Sequence, residues 1–96
     1  MKMIMIVYNE AIDLEVMETL EQSRLPNYTV LPEAYGRGMA SGTHLGTDVW
    51  PGRNRVLYVA APEDQAAALL ARLRTLREQY KREGLKAVVM PMEESL

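Results

Sequence analysis

The chain contains four short runs of mainly apolar residues, and their lengths are typical of β-strands. These runs cover residues 3–8, 28–35, 56–61 and 85–92. The first, third and fourth runs are apolar almost throughout, which is typical of strands that are buried on both faces. The second run includes Pro32, which has no backbone N–H. We therefore predict that this strand lies at a sheet edge or contains a bulge near the proline.

Two further segments carry apolar residues at spacings of three and four, which indicates amphipathic helices. The first covers residues 14–23 and the second covers residues 63–83, where basic residues fill the C-terminal half and suit the helix dipole. Gly84 is predicted to end the second helix. The apolar stripe of the second helix consists of Ala66, Leu69, Leu70, Leu73, Leu76 and Tyr80.

Turn-forming residues flank the first helix. Asn9 and Asp13 precede it, and their side chains are expected to supply the turn and the N-cap. Pro26 and Asn27 follow it and are predicted to end it.

The order β-α-β-β-α-β predicts an α+β, ferredoxin-like fold: an antiparallel four-stranded sheet with two helices on one face. Two helices cover only one face of such a sheet, whereas three of the strands are apolar enough to be buried on both. We therefore expect the second face to be covered by other copies of the chain. At 96 residues, the chain is predicted to be a single domain, residues 1–96.

The connection between the second and third strands, about residues 36–55, is unusually long. Hairpin loops have about 2–5 residues, and longer connections are normally functional or disordered. This segment holds five of the six glycines, the only histidine and the only tryptophan of the chain. We interpret it as a functional loop carried by the sheet.

The composition excludes several classes of function. The net charge of −2 argues against nucleic-acid binding, and the absence of cysteine excludes thiolate metal sites and cysteine nucleophiles. The apolar run at the start is too short to span a membrane, so a cytoplasmic location is expected. The chain lacks clustered carboxylates and a paired nucleophile and base, so we do not expect an enzyme.

Several segments, in their order and spacing, resemble the PII signalling family, the nitrogen regulatory proteins, and its PII-like relatives. They are KMIMIV, EVMETLEQ, TV…YGRG, VLYVAAPED and KAVVMPMEE. The family pattern places Gly-Arg before a long loop, the T-loop, and ends with a lysine followed by a Pro-apolar-Glu close. Here Gly36-Arg37 and Lys86…Pro91-Met92-Glu93 stand in those places.

This resemblance implies a homotrimer whose sheets face inward. It also implies a sensor or regulatory protein that binds a small ligand, an adenine nucleotide first of all, in clefts between subunits. In such proteins the long loop contacts a partner protein, such as a transporter or an enzyme. The resemblance to divalent-cation-tolerance proteins, which share this fold, leaves a metal-binding trimer as the alternative.

The chain departs from the nitrogen regulatory members near the expected ligand. Their Gly-Asp-Gly phosphate loop is replaced by Glu83-Gly84-Leu85, and the basic residues that follow their fourth strand have no counterpart in residues 92–96. The loop also lacks a tyrosine at its tip, where familiar members are modified. These departures indicate a PII-like protein with an altered choice of ligand.

The candidate ligand-binding residues are Gly36, Arg37, Gly38 and Lys86. Glycines let backbone N–H groups approach an anion, and the arginine and lysine add positive charge. The alternative is that the glycines only provide flexible backbone where a strand meets a loop.

The candidate partner-binding residues of the loop are His44, Asp48, Trp50 and Arg53. An exposed tryptophan is a good binding anchor, but Trp50 precedes a Pro-Gly turn and can equally pin the loop against a neighbouring subunit. His44 is also a candidate metal ligand if the histidines of a trimer converge. The alternative is a solvated loop histidine, since its spacing from Asp48 matches no standard metal site.

Overall fold

The strands and helices follow one another in the order β-α-β-β-α-β that the apolar pattern predicts. The computed structural model describes residues 1–34 and 53–96. A short 3₁₀ helix, Glu10–Ile12, leads directly into the first α-helix. The elements are β1 (Lys2–Asn9), α1 (Asp13–Gln22), β2 (Thr29–Ala34), β3 (Asn54–Ala61), α2 (Glu63–Gln79) and β4 (Leu85–Pro91).

The four strands form one antiparallel sheet in the order β2-β3-β1-β4, which confirms the predicted ferredoxin-like arrangement. β1 is central, and its Ile4 pairs with Val59 of β3 and Val89 of β4. β2 is an edge strand, and its register with β3 shifts between Leu31 and Ala34. The prediction for the proline strand is therefore confirmed, because a residue without an N–H is tolerated at such a place.

The hydrophobic core lies between the sheet and the two helices. Side chains alternate between the two faces of a strand, and Ile4, Ile6 and Tyr8 of β1 are fully buried beneath the helices. The apolar stripes of the helices face them, although Met17, Leu70 and Tyr80 lie at the margin of the core and are only half-buried. The helix residues of the core are Ile12, Val16, Leu20, Ala66, Leu69, Leu73 and Leu76.

The face of the sheet opposite the helices is also apolar, and we call it the open face. Its residues in β1 alternate with the core residues and are half-buried, while Leu31 of β2 is 48% exposed. No helix in the described ranges covers this face, as the sequence pattern predicts. By register, the open face carries Met3, Met5, Val7, Leu31, Val56, Tyr58, Ala60, Val88 and Met90.

The second helix is shorter than predicted. α2 ends at Gln79, and the N–H of Tyr80 donates to the carbonyl of Leu76 at 3.1 Å as the chain leaves the helix. Gly84 therefore does not cap the helix. Residues 81–83 are charged and have no apolar side chain to bury, and a helix end without packing gains little stability. In the described ranges, neither helix is long and apolar enough to cross a membrane.

The first helix ends in a Schellman motif, just before the proline that was predicted to end it. The N–H of Leu25 donates to the carbonyl of Leu20, and the N–H of Arg24 donates to that of Glu21, both at 3.0 Å. This motif places Arg24 in the left-handed region, at φ 57°. Leu20 and Leu25 both belong to the core, which adds the apolar contact typical of the motif.

We expect Arg24→Gly to stabilise the protein. The left-handed conformation costs a non-glycine residue about 1–2 kcal/mol, and the greater unfolded-state freedom of glycine offsets part of that gain. The free energy of unfolding should rise by about 0.5–1 kcal/mol in urea denaturation. Arg24→Ala is the matched control, because alanine retains the Cβ and should give no gain. Equal stability of the two variants would contradict the left-handed conformation of Arg24.

Candidate functional site at the loop end of the sheet

Three chain segments meet where β1 ends, and we call this region the loop end of the sheet. The N–H of Asn9 donates to the carbonyl of Gly84 at 3.0 Å, and the N–H of Glu10 donates to that of Arg53 at 2.8 Å. The residues that directly precede β3 and β4 are thereby both held against the end of β1. Ala34, the last residue of β2, pairs with Asn54 at the same end. The described residues that flank the long loop are therefore anchored here.

Of the four predicted ligand-binding residues, Lys86 lies in the described ranges. It is exposed and pairs with Val7 in register, which places it on the open face near the loop end. Within residues 1–34 and 53–96, no carboxylate lies within ion-pair distance of its ammonium group. Gly36, Arg37 and Gly38 lie outside the described residues, so their part of the predicted anion site stays a prediction.

Of the predicted partner-binding residues, Arg53 is described and its side chain is 66% exposed. Its Nε lies 3.9 Å from Oε1 of Glu33, so the two segments that flank the loop carry an exposed ion pair of the kind that contributes little stability. His44, Asp48 and Trp50 lie outside the described residues. Among the residues that are described, no group of three or more metal-ligating side chains comes together.

A buried pair of asparagines at the loop end was missed in the sequence. Asn9 and Asn54 are cross-strand neighbours, and both side chains are buried. Asn9 accepts a hydrogen bond from the N–H of Ala11 at 2.9 Å and so caps the 3₁₀ helix, which confirms the turn role predicted for it. Asn54 is only 3% exposed, yet its Oδ1 has no hydrogen-bond partner among residues 1–34 and 53–96. An unpaired buried acceptor costs about 1–3 kcal/mol, so this atom marks a position where a ligand or a second chain can supply a donor.

A second polar cluster, also missed, connects β1, β3 and the start of α1. The Tyr8 hydroxyl donates to Oδ1 of Asp13 at 2.5 Å, and Oδ2 of Asp13 lies 3.4 Å from Nη1 of Arg55. Burial, the hydrogen bond and the negative charge of Asp13 together raise the pKa of Tyr8 above its usual value. Asp13 is the first residue of α1 and does not cap it, because Ile12 occupies the cap position. The expected N-cap role of Asp13 is therefore wrong.

Neither cluster has a clear signal in the sequence. Tyr8 completes an apolar run and is indistinguishable from a core residue, while Asn54 and Arg55 lie in a segment that we assigned to the loop. The structure instead begins β3 at Asn54, two residues before the predicted start. The extra pairing depends on β1, since Asn9 and Tyr8 are the partners of Asn54 and Arg55.

The fold is that of a small α+β, ferredoxin-like domain. The family model for nitrogen regulatory protein P-II matches residues 1–96. The chain therefore belongs to the P-II family, whose members are signalling regulators, and the resemblance seen in the sequence is confirmed. The comparison with curated protein sequences gave no match.

Solved structures of PII-like proteins have the same fold. A PII-like signalling protein from Thermus thermophilus is 25% identical, with 92% of this chain and 81% of that chain covered and a TM-score of 0.65. CPII from Thiomonas intermedia, bound to ADP, AMP and bicarbonate, is 16% identical, with 93% and 88% covered and a TM-score of 0.69. A DUF3240 family protein from Shewanella baltica is 16% identical, with 98% and 91% covered and a TM-score of 0.71.

We expect Tyr8→Phe to destabilise the fold at neutral pH. The substitution removes the hydroxyl that donates to Asp13, and a hydrogen bond to a charged group contributes about 1.5–3 kcal/mol. Because Asp13 keeps Arg55 as a partner, the loss should lie near the lower end of this range, about 1.5–2 kcal/mol in urea denaturation. Tyr28→Phe is the control, since Tyr28 is exposed and should tolerate the change. Equal effects of the two substitutions would contradict this role of Tyr8.

The raised pKa of Tyr8 also predicts a loss of stability at alkaline pH. Above the usual tyrosine pKa of about 10, the unfolded chain releases the phenol proton while the folded protein retains it. The free energy of unfolding should therefore fall as pH rises through this window, by up to roughly 1.4 kcal/mol per pH unit from this group. Urea denaturation between about pH 9 and pH 11.5 should show a shallower decline for Tyr8→Phe. Parallel curves for parent and variant would refute the prediction.

Proposed function

We propose that this protein is a homotrimeric PII-like sensor that acts without chemistry of its own. Residues 1–96 form its single domain. A small anionic ligand, an adenine nucleotide or a related compound, binds between subunits at the loop end of the sheet. The loop, residues 36–55, then contacts a partner protein. We place this protein in the cytoplasm, where small regulatory ligands and their target enzymes are found together.

Assembly of the trimer is supported by the open face. Its methionine, valine, leucine and tyrosine side chains form a contiguous apolar surface, and such surfaces in small proteins normally mark an interface. Met5 lies at its centre, because β1 is a central strand. In a closed symmetric trimer the same face of each copy is turned towards the symmetry axis. A single apolar surface on each chain is therefore sufficient for assembly.

The observation that carries the ligand proposal is the position of Lys86. It is exposed, unpaired by any described carboxylate, and located on the open face close to the loop end. When other copies cover the open face, this ammonium group lies at the margin of the interface, where an anion can reach it. The ammonium group suits the phosphate of a nucleotide. Oδ1 of Asn54, which no described residue pairs, suits a donor such as an exocyclic amine.

CPII supports the same class of ligand, since it has this fold and is bound to ADP, AMP and bicarbonate. The segment Glu83-Gly84-Leu85 argues for a ligand with less phosphate than ATP. Gly84 is buried and its carbonyl accepts from Asn9, so this turn serves to hold β1. The partner-binding role of His44, Asp48, Trp50 and Arg53 is supported by the exposure of Arg53 and by the anchoring of both loop ends at this site.

The trimer is tested by sedimentation equilibrium of the parent and of Met5→Glu. The parent should sediment as a trimer, and the variant should sediment as a monomer, because a carboxylate at the centre of the open face cannot be buried without a partner. Leu14→Glu is the matched control, since Leu14 is apolar and 80% exposed on α1 but lies outside the open face. A stable monomeric parent would overturn the proposal.

The ligand site is tested by calorimetry with ATP, ADP, AMP and cyclic AMP, and with divalent metal ions as the alternative class. Arg37→Ala and Lys86→Ala should each weaken nucleotide binding about tenfold or more, because a charge-assisted hydrogen bond contributes roughly 1.5–3 kcal/mol. Lys2→Ala is the control, since Lys2 lies at the opposite end of β1. Absence of nucleotide binding, or unchanged affinity in both variants, would show that the site is wrong.

A further inference from the structure

A concave surface lies on the helix side of the sheet, between α2 and β4. Its floor is apolar and consists of Leu70 and Leu73 of α2 with Leu85 and Ala87 of β4. Leu73 and Leu85 are buried, while Leu70 and Ala87 are half-buried, so the floor is part of the core that remains accessible from one side. We call this surface the α2–β4 groove. Its volume is about 180 Å³.

Two arginines form the rim of the groove. Arg74 and Arg77 are three residues apart, so they project from the same side of α2, and both are exposed. No carboxylate among the described residues lies within ion-pair distance of either guanidinium. The nearby Glu78 is already paired with Lys81, at 3.7 Å. The rim therefore presents two positive charges that no described group of the chain neutralises.

We propose that the α2–β4 groove binds a small organic carboxylate with an aromatic or short alkyl body. The groove is open to solvent on one side, and its volume of about 180 Å³ gives room for a group the size of a benzene ring, with Leu70 and Ala87 as the accessible apolar contacts. A guanidinium holds a carboxylate through two parallel hydrogen bonds, and two guanidinium groups stand at the mouth of the groove. The apolar floor and the paired cations together select an anion that also has an apolar body.

The groove is separate from the nucleotide site proposed above. Leu85 and Ala87 pair with Tyr8 and Ile6, so they lie on the helix side of the sheet, whereas Lys86 between them faces the open side. Copies that cover the open face do not occupy the helix side of the same sheet. Binding in the groove therefore does not depend on a ligand at Lys86.

The test is an NMR titration of the intact protein with benzoate and hexanoate, which should bind in the millimolar range. The backbone amides of Leu73, Arg77 and Ala87 should shift as either compound is added. Benzyl alcohol lacks the charge and inorganic phosphate lacks the apolar body, so each should bind at least about tenfold more weakly. Equal binding of benzoate and phosphate would overturn the proposal, since it would show that charge alone is recognised.

Two variants should weaken binding in the groove, and two others are controls. The double variant Arg74→Gln, Arg77→Gln should lose benzoate affinity about tenfold or more, whereas Arg72→Gln should not, because Arg72 points towards Gln22 of α1. Ala87→Met should also weaken binding by filling the floor while leaving both guanidinium groups intact. Lys86→Ala should leave benzoate affinity unchanged. The proposed site would be refuted if Lys86→Ala lost benzoate binding or if the double variant retained it. It would also be refuted if the parent did not respond to benzoate.

Discussion

The structure depends on one constraint: the central strands are apolar on both faces, but the described helices cover only one. β1 buries Ile4 and Ile6 beneath α1 and α2, and its alternate residues, Met3 and Met5, face the other way. Burial of apolar surface is the main favourable term in folding and in association alike. The same strand can therefore organise the core of one chain and an interface with others.

The loop end of the sheet is where we propose that the ligand binds. Backbone hydrogen bonds hold the chain at Arg53 and Gly84 against the end of β1, and the Tyr8–Asp13–Arg55 cluster joins the first residues of β3 to the start of α1. A functional loop needs such a base, because a ligand can bias a loop only if its ends are fixed relative to the binding groups. The polar residues buried here fit that role, since buried polar networks specify one arrangement of the elements around them.

The two anion sites proposed above lie on opposite faces of β4 and differ in their surroundings. Lys86 faces the open side and is a single flexible ammonium group, whereas the α2–β4 groove combines two arginines with an apolar floor. Ammonium acts as a point charge, while guanidinium groups recognise planar carboxylates. The alternation of side chains along one short strand thus places the two proposed sites on opposite faces of the sheet.

The sequence alone predicts the elements, their order and an edge position or bulge for the proline strand, because apolar periodicity reports local structure and burial. It also indicated the family and the uncovered sheet face. Three features became visible only in the folded chain: the end of α2, the place of Asn54 and Arg55 in β3, and the hydrogen bond from Tyr8 to Asp13. These features depend on partners from other elements. β1 supplies the pairing that extends β3. α2 ends at Gln79 because residues 81–83 have no apolar side chain to pack against the core. A local pattern does not contain such partners, since they become neighbours only when the sheet has formed.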